Sequence, residues 1–183
     1  MRFQGAAPGI AASVAAVLTA GAMGVAVLRA AGDRPETLIY AVYDGQDTAT
    51  QVFKTMRSAQ HETGERIESY AVVSKDLKGK VTVRDQRKRD AGVGAVLGGV
   101  IGLVGGPIGV AAGAAAGGSV GYLTGDAVGI PRDTVESMKQ ALIPDSSAIV
   151  VVLDDRWVKD VQSDLQKAQA REVIASEIAA GSK

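Results

Sequence analysis

The chain has 183 residues, enough for one domain and an additional segment, and its 20 basic and 20 acidic side chains leave no net charge to attract nucleic acid. Cysteine is absent and the single histidine is His61, which excludes disulfide scaffolds, iron–sulfur clusters, cysteine nucleophiles and thiolate or multi-histidine metal sites. Glycine, with 23 residues, exceeds the usual share of about 7% and gathers in one stretch.

The first element is a charge-free run between Arg2 and Arg29, with Pro8 where a proline suits the first turn of a helix. Taken as helical from residue 9 to 31 it would be about 34 Å long, enough for a hydrocarbon core of roughly 30 Å. An uncleaved membrane anchor is one reading. A secretory signal is another, since Ala20-Gly21-Ala22 has the small-x-small form of a cleavage site; a helix on a surface or inside an assembly is the third. The apolar run continues past that site to Leu28, which a cleaved signal does not require. Ala12, Ala16, Ala20 and Gly24 form a stripe of small residues along it.

Residues 37–43 (TLIYAVY) then read as a strand ended by Asp44-Gly45, with Asp47 as the cap of a helix in which Ala49, Val52, Phe53, Met56 and Ala59 share a face and Gly64 closes. Residues 67–73 form a second strand. Asp76-Leu77-Lys78-Gly79 turns the chain into a third, residues 80–84.

A second charge-free run separates Asp90 from Asp126. Gly94, Gly98, Gly102 and Gly106 recur every fourth residue; after Pro107 the same spacing resumes with Gly109, Gly113, Gly117, Gly121 and Gly125. Residues four apart share a helix face, so each half presents a smooth glycine stripe that another backbone can approach, a glycine zipper. Gly105-Gly106-Pro107 is a turn signal that would divide the run into two helices of about 14 and 18 residues, a hairpin. Such helices are short for a full membrane crossing, so the hairpin either dips into a bilayer or packs on protein.

Pro131 opens a helix with Val135, Met138 and Leu142 on one face, stopped by Pro144. Residues 148–153 are a continuous apolar strand, as expected when both faces are covered. Asp154-Asp155 leads into a helix carrying Val158, Val161, Leu165 and Ala168, and residues 172–178 read as the last strand. The strand–helix–strand unit that starts at Ile39 thus repeats from Ile149. Two such units predict an α+β fold, a ferredoxin-like split βαβ sandwich with an inserted glycine-zipper hairpin and an N-terminal apolar helix. Its segments are 1–34, 35–86, 87–130 and 131–183, with the first strands of the two units parallel at the centre.

This order of elements, together with the glycine run and residues 141–151 (ALIPDSSAIVV), resembles the bacterial domain of unknown function 1269 over about residues 37–179. Asp145 stands where that family places a glycine, and the N-terminal helix is not a general feature of it. The resemblance implies architecture and a membrane or stress-related association; it supplies no activity, cofactor or catalytic residue.

Parallel central strands would bring Asp44, Asp154 and Asp155 to one edge, where a carboxylate cluster could hold Mg²⁺ or Ca²⁺, although acids before a helix also serve as caps. His61 follows the apolar stripe of its helix on the polar side and reads as a surface residue. Lys78, Lys80, Arg84, Arg87, Lys88 and Arg89 precede the glycine run and suit either a solvated face or contact with anionic headgroups and retention on the cytoplasmic side. Trp157 fits an interface or a partly buried helix start. The resulting expectation is a non-enzymatic, membrane-associated interaction protein that needs no cofactor and self-associates through its glycine faces. Its alternative is a soluble or assembly-bound regulatory ligand-binding module whose glycine helices pack on protein.

Overall fold

The computed structural model describes residues 36–60, 67, 69–88, 91–115 and 129–178. The chain divides into two units, Met1–Arg34 and Pro35–Lys183, and all described residues belong to the second. The readings of the N-terminal run, with Ala12, Ala16, Ala20 and Gly24, lie outside the described residues, as do those of His61, Gly64, Arg89, Gly117, Gly121 and Gly125.

The elements follow in the order β1 (Glu36–Asp44), α1 (Thr48–Gln60), β2 (Ser69–Lys75), β3 (Val81–Arg87), α2 (Ala91–Ala115), α3 (Arg132–Ala141), β4 (Ser146–Asp154), a 3-10 turn (Asp155–Trp157), α4 (Val158–Lys167) and β5 (Glu172–Ile178). The turn between β2 and β3 is tight because the Asp76 carboxylate accepts the backbone N–H groups of Lys78 and Lys80, both at 2.8 Å. Gly79 supplies the positive φ of 81° that this turn demands.

All five strands form one antiparallel sheet in the order β3-β2-β4-β1-β5. The expected parallel pair at the centre is corrected: β1 and β4 are neighbours, but they run antiparallel, with Glu36 opposite Asp154 and Asp44 opposite Ser146. The reason is topological. Helix α1 returns the chain so that β1 and β2 point the same way, and β4 is inserted between them, antiparallel to both.

Helices cover both faces. Ile39, Ala41, Tyr43, Tyr70, Val72, Ile149 and Val151 pack with Ala49 and Phe53 of α1 and Val161 and Leu165 of α4. On the other face Leu38, Tyr40, Val42, Ala71, Val73, Val150 and Val152 pack with Val93, Leu97, Val100, Ile101 and Val104 of α2 and Val135 and Met138 of α3. This is why β1 and β4 are apolar throughout instead of alternating.

The turn expected at Gly105-Gly106-Pro107 is also corrected, because α2 runs unbroken through it to Ala115. A proline ring clashes with the N–H and the Cβ of the residue before it, and Gly106 lacks the Cβ, which removes part of the conflict. Gly105 lets α2 approach the sheet closely: a Cβ built there would lie 3.2 Å from Val81 Cγ2. A Cβ at Gly94 would meet only the stem of Lys88, with Cδ at 2.8 Å. Among the described residues no helix is long and apolar enough to cross a membrane, and α2 lays its Val, Leu and Ile face on the sheet. Over its described part the glycine run therefore packs on protein, one of the two placements its length left open.

Candidate functional site

The polar side chains that do meet are gathered where β1 ends and β4 begins. Pro144 halts the chain after α3, and Asp145 turns it into β4 with a φ of 60°, a left-handed conformation that accounts for the glycine expected at this position. The Asp145 carbonyl accepts the N–H of Gly45 at 2.9 Å and its carboxylate accepts Gln46 Nε2 at 2.9 Å. Ser147, fully buried, donates its hydroxyl to the Gly45 carbonyl at 2.6 Å and accepts the Ala49 N–H at 3.0 Å. It therefore caps α1 from across the fold. Asp47, the expected cap, stands immediately before α1, where its carbonyl accepts the Gln51 N–H at 3.1 Å and its carboxylate lies 3.9 Å from the Arg84 guanidinium.

Around this clasp, Ser146 donates to the Ile143 carbonyl at 2.5 Å and Lys75 Nζ to the Leu142 carbonyl at 2.9 Å. Arg171, just before β5, donates to the Asp44 carboxylate and to the Ala141 carbonyl, while its backbone N–H bonds to the Val42 carbonyl at 2.7 Å. The hydroxyls of Ser146 and Ser147 are thus engaged by backbone groups. The arrangement ties α1, α3, β4 and β5 together.

The antiparallel centre separates the proposed carboxylates. Asp44 and Asp154 stand at opposite ends of β1, eight residues or about 27 Å apart, so the expected cluster of Asp44, Asp154 and Asp155 does not form. Asp154 instead accepts the Arg156 N–H at 3.1 Å, and Asp155 accepts the Thr37 hydroxyl at 2.5 Å. Among the described residues no group of three or more His, Asp or Glu side chains could hold a metal ion.

The basic residues also part company. Lys78 and Lys80 flank the turn at one end of β3, Arg87 pairs with Tyr70 at the other end about 20 Å away, and Arg84 bonds to Ser74 Oγ at 2.7 Å. Lys88 lies along Gly94. The described basic residues thus follow β3 from its turn to the start of α2. Of the glycine stripe, Gly94, Gly98 and Gly102 lie in the part of α2 that packs on the sheet, and Gly106, Gly109 and Gly113 continue the same helix. Trp157 packs partly buried beside the α1/α4 core.

Three tyrosines are held protonated. Burial raises the pKa of Tyr40, with Glu172 adding to it, and burial alone raises that of Tyr43. Tyr43 donates to the Leu165 carbonyl at 3.4 Å, whereas the buried Tyr40 hydroxyl has no hydrogen-bond partner among the described residues. Tyr70 accepts from Arg57 at 2.9 Å and donates to Asp85 at 3.3 Å; burial first and Asp85 second raise its pKa against the pull of Arg57. Ser147, Arg171 and Tyr40 were not among the residues singled out by sequence. A Ser-Ser pair after Pro-Asp at a strand start was the one visible hint.

The family described as protein of unknown function (DUF1269) matches residues 91–183, from α2 through β5 and on to the last residue, just over half of the chain. No curated protein and no solved structure matches the chain.

Proposed function

Because the chain belongs to the DUF1269 family of proteins of unknown function, we propose its role from its own architecture: a non-enzymatic, membrane-associated and self-associating interaction protein. The observation that carries this reading is the coverage of the sheet on both faces, with the polar groups at its end engaged in tying elements together. Such a body offers helix surfaces, sheet edges and loop ends to partners. We read its sheet as ferredoxin-like, with the halves β1-α1-β2 and β4-α4-β5 interleaved and β3 added at one edge, a reading supported by the strand order. Glycines beyond Gly105 remain the candidates for zipper contacts with a second copy.

Since α2 uses its apolar face on the sheet, the membrane attachment falls to the charge-free run between Arg2 and Arg29. Fractionation tests it. The natural chain should stay with membranes through a high-salt wash, and Leu18→Arg with Val25→Arg should release it, because each arginine in a hydrocarbon core costs about 2.5–3.5 kcal/mol. A natural chain that is fully soluble without detergent would overturn the attachment and favour the assembly-bound alternative, for which the packing of α2 on protein is the supporting observation.

A further inference from the structure

We propose that the tip of the β2–β3 hairpin, Leu77 with Lys78 and Lys80, is a second membrane contact of this protein and inserts into an anionic lipid surface beside Ile143. The inference rests on the membrane association proposed above and adds a site to the attachment assigned there to the charge-free run.

It starts from exposure. Among the described residues only two large apolar side chains are exposed, Leu77 at 75% and Ile143 at 47%. Scattered singly, such residues are ordinary surface, but these two share a corner of the fold. Lys75 stands opposite Ser146 in the sheet and its ammonium donates to the Leu142 carbonyl at 2.9 Å, which sets Ile143 beside the hairpin. The turn itself does not call for leucine. Asp76 and Gly79 supply its hydrogen bonds and its positive φ, and Leu77 lies beyond the last pair of the β2–β3 ladder, Lys75 with Val81, so it belongs to neither core.

Charge names the surface that covers this tip. Lys78 and Lys80 follow Leu77 around the turn, both are exposed, and neither enters an ion pair among the described residues. The carboxylates beside them are engaged: Asp76 accepts two backbone N–H groups of the turn, and Asp145, next to the Ser146 that faces Lys75, accepts Gln46 Nε2. The charge left without a partner at the tip is therefore positive. An apolar side chain projecting beside two free ammonium groups matches a bilayer, in which anionic headgroups overlie hydrocarbon: the leucine enters the acyl boundary while the lysine stems keep their ammonium groups at the phosphates. The two hydrogen bonds to Asp76 fix the hairpin before contact, so little ordering remains to oppose binding.

The single tryptophan makes the test clean, because Trp157 stands just past the end of β4, at the opposite end of the sheet from the tip. The full chain with Trp157→Phe and Leu77→Trp carries its only indole at the tip. In vesicles of phosphatidylcholine and phosphatidylglycerol brominated high in the acyl chains, its emission should shift to the blue and be quenched, whereas that of Trp157 in the natural chain should not. Quenching at the tip should fall severalfold in high salt, in phosphatidylcholine alone, or when Lys78→Glu and Lys80→Glu are added. A tip left unquenched in a chain that sediments with the vesicles, or quenched equally in every lipid and salt, would overturn this site and leave the attachment standing. A natural chain that does not sediment with the vesicles would overturn both.

Discussion

Replacing Ser147 by alanine removes one hydroxyl that serves two backbone groups, the part-buried Gly45 carbonyl before α1 and the buried Ala49 N–H in its first turn. Loss of a cap and of a buried acceptor together costs about 1–2 kcal/mol, which urea denaturation should register as a lower midpoint with an unchanged slope. Tyr40→Phe should move the midpoint the other way. Its hydroxyl is buried with no partner among the described residues, so deleting it removes a desolvation penalty and is expected to stabilise by up to about 1 kcal/mol, while Tyr43→Phe, which loses a hydrogen bond, should not. Neither residue announces its role in sequence. Ser147 is 102 positions from the carbonyl it holds, and no local spacing encodes such a distance.

Helix α2 shows how glycine spacing can be legible and its meaning not. The four-residue stripe indicated a helix, which the structure shows from Ala91 to Ala115, and the close contacts of its glycines are with Val81 of the sheet and with Lys88. Two glycines of the same helix should therefore respond with opposite signs. Gly94→Ala meets only the flexible Lys88 stem, so the better helix propensity of alanine, about 0.8–1.0 kcal/mol, should appear as a higher melting temperature. Gly105→Leu puts a side chain where a Cβ already stands 3.2 Å from Val81, and should lower the melting temperature by pushing α2 off β3, a loss of about 1–3 kcal/mol. Equal gains at both positions would show that α2 does not lie on β3. The turn expected at Pro107 failed for a related reason: a proline's effect depends on the residue before it, and a glycine there takes away part of the steric conflict.

At the scale of the whole molecule the buried tyrosines set a limit in alkali. Burial raises Tyr40 and Tyr43 above their unfolded value near 10, so both stay protonated in the native state while the unfolded chain loses their protons. Stability should be full below about pH 10 and fall as pH rises toward the native values, by about 1.4 kcal/mol per pH unit for each tyrosine. Urea midpoints measured between neutral pH and pH 11 should show this decline, with the Tyr40 and Tyr43 share of the tyrosinate absorbance appearing only as the protein unfolds. A midpoint that stays constant across that range would mean that these hydroxyls titrate freely in the native state.

By itself the sequence determined the elements: five strands, the order in which helices separate them, the buried character of β4, and the family signature in the glycine run and the residues from Leu142 to Ala148. These are properties of local periodicity and turn chemistry, which act over a few residues. Strand direction at the centre, the separation of Asp44 from Asp154, the dispersal of the basic residues along β3 and the burial of α2 were decided only in three dimensions. Each depends on which strand is inserted between which others, and the free energy that chooses among those arrangements comes from packing both faces of one sheet at once, a quantity that belongs to no single segment of the chain.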